Sequence, residues 1–493
     1  MDQKAQPIII VGGNVVGLSA ALSLAVQHVP TVVIEKHQAI SQHPRAMGFT
    51  PRTMEIFRTF GVAHQIPQVP RDFELKRARV DSLNGEVHRD KPSRAPTDAD
   101  SPPKEYSQFS GAAIPQDQLE AILEDAALRH GVDIRRGLTV VRIEQDATGV
   151  AVTATDAEGN ISQLRSPYLI AADGSHSAIR EQMNIRRQGR GPMQTMRSVL
   201  FRAALDAYTK GVLQFTIEQP DLKAFLTTYS DGRWVLMFYD DIDRDEQALL
   251  TEIHKAIGRD DVALAALIAD RFQSGRIFIA GDAAHTLPPN RGGYGANAGI
   301  HDADNLAWKL ASVLSGQSTP ELLDTYELER RLIAQLRHDQ IFVRSDYKIH
   351  LNEHAIPGQK LDNDAMEFGE LYESRGFVGL SDDLPPAKKP DDWAGQPAVI
   401  GREHWSLVSE NCEWKQVVGR VNQWSSVSLE CLHIGGDIDI SDTQVFRQAM
   451  GLSDKGASLI RPDGYIAWRT TDMPPEPSKI FYEVLSQVSF AKI

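Results

Sequence analysis

The chain of 493 residues is too long for one ordinary hydrophobic core, and domain-size statistics predict roughly two to four packed units. With 42% hydrophobic and 24% charged residues it has ample material for a core, yet no stretch reaches the roughly 20 consecutive apolar residues of a membrane span. The net charge of −14 disfavours a polyanionic partner such as nucleic acid and suits a small, uncharged or modestly charged substrate.

The N-terminal residues run from Met1 through Pro7 into Ile8-Ile9-Ile10-Val11 with no basic region or small-residue cleavage site, which predicts a cytoplasmic protein. Ile8–Val11 reads as a strand ending in glycines, Leu18–Gln27 as a helix, and Thr31–Glu35 as a second strand, together the βαβ unit of a parallel sheet. Gln118–Arg129 has helical composition. Gly149–Thr155, the turn Glu158-Gly159-Asn160 and the apolar run from Tyr168 predict antiparallel strands feeding a further sheet strand. Between Ile185 and Asp270, Ser198–Ala203 and Trp234–Tyr239 suit a flat sheet with one covered face. A buried-strand pattern returns at Arg276–Ala280, and a long helix is predicted from near Gly299. Lys360–Gln396, rich in Asp, Pro, Lys and Gly, reads as a linker. The expected α/β organisation is a discontinuous nucleotide-binding domain over 1–184 and 266–345, and a substrate-side sheet over 185–265 with parts of 75–110. A helical linker over 346–396 and a C-terminal domain over 397–493 complete it. Only Cys412 and Cys431 occur, outside any Cys-x-x-Cys pair, which argues against a disulfide framework, a zinc ribbon or a dithiol centre.

Three segments carry chemistry. Gly12-Gly13-Asn14-Val15-Val16-Gly17, between strand and helix with Glu35 ending the next strand, has the spacing of a dinucleotide loop. There the first glycine makes the tight turn, the middle one admits the pyrophosphate, the last lets helix meet sheet, and the acid accepts ribose hydroxyls. Asn14 holds the middle position; Asn tolerates positive φ, but its side chain obstructs close approach. A plain strand-to-helix turn is the competing reading, and the placement of Glu35 favours the nucleotide. Asp173, in Ala171-Ala172-Asp173-Gly174, and Asp282, in Gly281-Asp282-Ala283-Ala284-His285, each follow a buried-strand pattern beside a glycine, where a carboxylate can accept from a ribityl hydroxyl. Pro288-Pro289-Asn290-Arg291-Gly292-Gly293-Tyr294-Gly295-Ala296-Asn297 leads into a helix. Its free N–H groups and dipole offer a site to an anion such as the pyrimidine edge of reduced flavin.

In this order the motifs resemble those of the class A flavoprotein aromatic hydroxylases, the group of phenol hydroxylases and of anthracycline- and tetracycline-type polyketide hydroxylases. Further matches are Pro44-Arg45-Ala46-Met47-Gly48 through Arg52-Thr53-Met54-Glu55, Gln116–Glu120 and Tyr326–Arg330, so the resemblance spans nearly the full length. It implies a Rossmann-like FAD-binding domain with an inserted β-sheet substrate domain. It also implies a thioredoxin-like C-terminal domain, carried by Gly456–Arg469 and, lacking Cys-x-x-Cys, structural or homodimer-forming. FAD would be the cofactor and NADPH or NADH the co-substrate. The implied activity is hydroxylation of a phenolic or polyketide-like aromatic in secondary metabolism, using O₂ through a flavin C4a-hydroperoxide. Baeyer–Villiger insertion, epoxidation, and a dehydrogenase or oxidase without oxygen insertion remain alternatives. A nucleotide-binding scaffold without turnover is the rival outside enzymes.

By the same resemblance Arg45 and Gln116 contact FAD, Asp173 marks the motif linked to FAD and NADPH use, and Asp282 holds the ribityl chain. Pro289, Gly292, Gly293, Gly295, Ala296 and Asn297 line the isoalloxazine ring. Gly12, Gly13, Asn14, Val16, Gly17, Glu35, Lys36 and Val140 complete the expected cofactor contacts, and Pro289, Arg291 and Tyr294 are the candidate catalytic residues. Asn14 and Val15 replace the family's Gly-Pro. Met47 stands where phenol hydroxylases carry an acid, so no carboxylate base carries over to it, and Ile253–Phe272 is short for the family, which predicts either a trimmed substrate domain or residues absent from this sequence. Two further patterns take bland readings. His350-Leu-Asn-Glu353-His354 matches an inverted zinc-peptidase motif, but a surface helix is favoured and no metal is expected. Arg186, Arg187 and Arg190 could grip a 2′-phosphate, and a solvated loop is favoured.

Overall fold

The computed structural model describes residues 6–41, 46–71, 77–83, 88–89, 107–203, 205, 213–219, 222–238, 261–287, 294–343, 358–361, 363–372, 374–378, 404–438, 440 and 442–491. β1 (Ile8–Val11) and β2 (Thr31–Glu35) are apolar and β-branched and bury every residue, as strands covered on both faces do. Between them α1 (Val15–Ala25) is buried along its whole length, so it lies inside the molecule rather than on its surface. Both strands belong to a six-stranded sheet in the order Gln273–Ser274, Ile277–Ile279, Leu169–Ala171, β1, β2, Asp133–Arg136. All its pairings are parallel except that of Gln273–Ser274, which turns back antiparallel.

β1 therefore lies between its own sequence neighbour β2 and a strand from far along the chain. The strand order reverses there, and the crevice at the carboxyl ends of β1 and Leu169–Ala171 is where open α/β sheets bind ligands. Gly149–Thr155 belongs to the expected antiparallel strands that precede the sheet strand Leu169–Ala171. With Thr139–Asp146 and Ile161–Ser166 it forms a separate three-stranded antiparallel sheet, and Leu169–Ala171 alone returns to the parallel one.

An eight-stranded sheet follows in the order His285–Thr286, Asp261–Ala269, Arg187–Arg202, Arg233–Phe238, Lys223–Thr228, Gln214–Glu218, Arg77–Val80, His88–Arg89. Phe215, Ile217, Leu226, Trp234, Leu236 and Phe238 form its own core. The C-terminal sheet has four strands, Leu429–His433, Trp405–Ser409, Ala457–Ile460 and Ile466–Thr470, and its core around Trp405, Trp414 and Phe481 includes Trp308 and Leu322 from the helices Tyr294–Leu314 and Pro320–Asp324.

Two helices begin earlier than composition predicts. α3 spans Gln116–Arg129, with Pro115 setting its start, and the long helix spans Tyr294–Leu314 because burial of Tyr294 and Asn297 holds its first turn against neighbouring elements. Among the described residues no helix is long and apolar enough to cross a membrane.

Candidate active site

The β1–α1 turn depends on two close approaches. Gly12 has φ of 111°, and a Cβ there would stand 2.2 Å from Ala172 O; a Cβ on Gly17 would stand 1.8 Å from Gly12 O. The left-handed position thus falls on Gly12, while Asn14 is extended with φ of −96° and its tolerance of positive φ is not used. The Asn14 carboxamide caps α1 instead. Val16 and Gly17 N–H donate to its Oδ1 at 3.0 and 3.3 Å, and its Nδ2 donates to Ala172 O at 2.6 Å. The Val16 side chain packs against Gly281 and Gly299, where added Cβ atoms would meet its Cγ2 at 2.9 and 2.5 Å, so this valine seats α1 on the long helix.

Glu35 ends β2 facing the loop. Its Oε2 accepts from Gly13 N–H at 2.6 Å and its Oε1 from His37 N–H at 2.8 Å. Burial opposes its ionisation, but the His37 and Gly13 donors prevail and hold the carboxyl below its usual range. Lys36, the next residue, is exposed, and Val140 is half-buried on Thr139–Asp146.

Gln116 opens α3. Its Oε1 accepts from Ala46 N–H at 3.0 Å, tying in the segment beside Arg45, and its Nε2 donates to Glu120 Oε1 at 2.7 Å. The same Glu120 oxygen accepts from Val15 N–H at 3.0 Å, and burial pushes the Glu120 carboxyl up. Glu120 stands in the sequence only as the end of a motif. Its i+4 spacing from Gln116 is the one local signal that the two share a helix face.

Asp173 follows Leu169–Ala171 at the crevice. Its carboxylate accepts from Ser177 Oγ at 2.5 Å and Ile179 N–H at 3.2 Å, capping the helix Ala178–Gln182, and burial pushes its carboxyl up. Asp282 lies half-buried in the turn Gly281–Ala283. That turn is organised by a residue that sequence reasoning missed, Asp302. Its Oδ2 accepts from Gly281 N–H at 3.1 Å and lies 2.7 Å from His285 Nε2, and its Oδ1 accepts from Arg330 Nε at 2.8 Å. Burial opposes ionisation, but His285 and Arg330 hold the Asp302 carboxyl well below the ordinary range.

Gly295 and Ala296 are half-buried in the first turn of the long helix, and Asn297 is buried. Thr50 N–H and Thr53 Oγ1 donate to Asn297 Oδ1 at 3.1 and 2.5 Å, and its Nδ2 donates to Gly48 O at 3.2 Å, so the amide fastens the long helix to α2 (Pro51–Thr59). Tyr294 packs among Leu287, Ile341, Phe342 and Met366, with the Arg337 guanidinium 5.5 Å from its ring centroid. Arg45, Pro289, Arg291, Gly292, Gly293 and His350–His354 lie outside the described residues. Arg187 Nη1 donates to Ser175 O at 2.9 Å and Arg186 is exposed. Among the described residues no cluster of three or more His, Cys, Asp or Glu side chains is arranged for a metal ion.

The loop, Glu35, Asp173 and Asp282 thus lie at the carboxyl ends of adjoining parallel strands, linked by Ala172 N–H to Val11 O at 2.8 Å and Ala280 N–H to Ala171 O at 3.0 Å, and Gln116 reaches the loop through Glu120. Glycines where a Cβ would collide, together with an ionised carboxylate at the end of β2, suit a dinucleotide cofactor.

Known proteins are similar to this chain over nearly its full length. The chain is 32% identical to the tetracenomycin A2 monooxygenase-dioxygenase of Streptomyces glaucescens over 559 aligned positions, covering 99% of this chain and 97% of that protein. It is 30% identical to the 4-methyl-5-nitrocatechol 5-monooxygenase of a Burkholderia species, covering 98% and 97%. The solved ternary complex of aklavinone-11 hydroxylase with FAD and aklavinone superposes with a TM-score of 0.87 at 29% identity, covering 99% of this chain and 100% of that one. The family described as FAD binding domain matches residues 5–340, and the chain belongs to it, as a class A flavoprotein aromatic hydroxylase.

Proposed function

We propose that the protein is an FAD-dependent monooxygenase that uses NAD(P)H and O₂ to hydroxylate a phenolic or polyketide-like aromatic molecule. The observation that carries this is full-length similarity to monooxygenases of aromatic substrates, joined to a crevice whose glycines and Glu35 suit FAD. FAD, when bound, would supply the redox chemistry, hydride acceptance from NAD(P)H and activation of O₂ for transfer of one oxygen atom.

The chain's own part is to bind and orient. Glu35, beside Lys36, accepts ribose hydroxyls; the Gly12–Gly17 loop with Asn14 and Val16 meets the pyrophosphate; Arg45, Gln116 and Val140 flank the nucleotide. Asp282 takes the ribityl chain, on a turn that Asp302 braces. Asp173 serves by shaping the crevice, since its carboxylate is engaged with Ser177 and Ile179. Pro289, Gly292, Gly293, Gly295 and Ala296 would line the ring, and Asn297 anchors the first turn of the long helix to α2. Among the candidate catalytic residues, packing of the Tyr294 ring among apolar neighbours favours a supporting role for it, and Arg291 and Pro289 remain the candidates for catalysis.

The same reading takes the eight-stranded sheet as the inserted substrate-side domain. The aligned span of 559 positions exceeds the 493 residues here, which supports a trimmed version of the relatives. It takes the C-terminal unit as thioredoxin-like: Trp405–Ser409 and Leu429–His433 pair in parallel around a helix, then an antiparallel hairpin and a closing helix follow. A homodimer belongs to this proposal.

Anaerobic mixing of the FAD-loaded protein with NADPH or NADH, then admission of isotopically labelled O₂ with a panel of phenols and polyketide aromatics, tests the activity. The expected product gains one labelled oxygen atom as a hydroxyl. Substrate oxidation without NAD(P)H consumption or label would overturn the reading.

A further inference from the structure

The amides at the N-terminus of α1 already have partners inside the chain. Val16 and Gly17 N–H end on Asn14 Oδ1 at 3.0 and 3.3 Å, and Val15 N–H ends on Glu120 Oε1 at 3.0 Å. A helix N-terminus following a glycine loop is where a dinucleotide's pyrophosphate is bound, through these N–H groups and the positive end of the helix dipole. The Asn14 side chain does not swing freely there. Its Nδ2 is fastened to Ala172 O at 2.6 Å, at the end of the neighbouring strand, and this turns Oδ1 toward the helix. Glu120 adds a buried carboxylate beside the same amides, with Arg136 and Glu35 as the charged groups that face it. The obstruction expected at position 14 is thus a contest for hydrogen-bond donors more than a matter of bulk.

We propose that the Asn14 carboxamide is a built-in occupant of the pyrophosphate's amides, which incoming FAD must displace, so that this chain holds FAD loosely and exchangeably. The inference rests on the flavin reading and names the residue that tunes it. Pyrophosphate oxygens form charge-assisted bonds stronger than those of a neutral amide, so the ligand wins the amides. It wins them at reduced net affinity, because the bonds of Asn14 are broken first. Glycine at an N-cap costs a helix little relative to Asn, so Asn14→Gly frees the donors without losing α1.

The test is titration of the deflavinated full-length protein with FAD, read by quenching of flavin fluorescence, beside the melting temperature of each apoprotein. Asn14→Gly is expected to bind FAD about tenfold more tightly than the wild type, since bonds of ordinary strength no longer have to be given up. Its apoprotein should melt slightly lower. Asn14→Asp keeps an acceptor for the α1 amides but loses the donor to Ala172 O, so its apoprotein should melt no higher than the wild type. It should bind FAD more weakly than the wild type, because a carboxylate opposes the pyrophosphate. Asn14→Gly therefore gains FAD affinity while its apoprotein loses stability, whereas a purely structural Asn14 would lose both. Equal or weaker FAD binding by Asn14→Gly, with the wild type still binding FAD, overturns the proposal and leaves the flavin reading intact. Failure of the wild type and both variants to take up FAD overturns the flavin reading, and this inference with it.

Discussion

Glu367 sits half-buried where the short helix Asn363–Phe368 meets the start of α2, with Arg52 N–H donating to its Oε1 at 2.9 Å. Burial pushes its carboxyl from the ordinary 4.5 up to about 7. The folded chain therefore keeps this proton through a range in which the unfolded chain has lost it, so this group's contribution to stability falls from about pH 4.5 to about pH 7 and is flat above. Glu367→Gln, which keeps a neutral acceptor for Arg52 N–H, is expected to be more stable than the wild type near pH 8 by up to roughly 3 kcal/mol and unchanged near pH 4.5. Urea unfolding midpoints at the two pH values check this; equal midpoints at pH 8 would refute it. Gly12, Gly17 and Glu35 were legible from spacing, because the turn, the close approach and the acid recur at fixed offsets. Glu120, Asp302 and Glu367 were not, because their partners lie far along the chain: Val15 for Glu120, Gly281 and Arg330 for Asp302, Arg52 for Glu367.

At the scale of elements, the long helix Tyr294–Leu314 carries the anion that holds the Asp282 turn. Asp302 is fully buried, and its oxygens serve Gly281 N–H, His285 and Arg330. Asp302→Asn removes one of the two carboxylates beside the buried Arg330 guanidinium, Glu370 Oε2 at 3.4 Å being the other, and a loss of up to about 3–5 kcal/mol is expected in thermal or urea unfolding. Since the depressed carboxyl stabilises the fold at all pH values above its unfolded range, the difference between wild type and variant should shrink only as the pH falls below about 4. A variant as stable as the wild type at neutral pH would show that His285 and Arg330 find other partners. The βαβ unit was readable because its hydrophobic pattern and glycines are local. The separate sheet of Thr139–Ser166 was not, because alternation predicts strands without naming which sheet they join.

Over the whole molecule, the C-terminal unit is locked to the cofactor side by buried charge. Arg461 donates through Nη1 and Nη2 to the two Glu329 oxygens at 2.8 and 2.9 Å, and Lys309 Nζ donates to Glu329 Oε2 at 2.8 Å. Asn305 Nδ2 reaches Asp463 Oδ2 at 3.1 Å, and Arg52 Nη2 reaches Asp463 O at 2.9 Å. Burial opposes ionisation of Glu329, yet Arg461 and Lys309 hold its carboxyl well below the ordinary range. Removing one partner from such a set leaves charge buried without compensation. Arg461→Met is expected to cost about 3–5 kcal/mol and to split one calorimetric transition into two, the C-terminal unit melting first; a single unshifted transition would refute it. Composition and a proline-rich stretch suggested separate units, but no sequence pattern announces that Arg461 and Asp463 close on helices more than a hundred residues away. The long helix links the scales. Along about 30 Å it meets α2 through Asn297, the Asp282 turn through Asp302 and the C-terminal core through Trp308. Deleting one residue within it would rotate every later contact by about 100°. In gene shuffling among related hydroxylases, crossovers inside Tyr294–Leu314 should yield dead chimaeras, and exchangeable blocks must carry this helix together with α2 and Arg461–Tyr465.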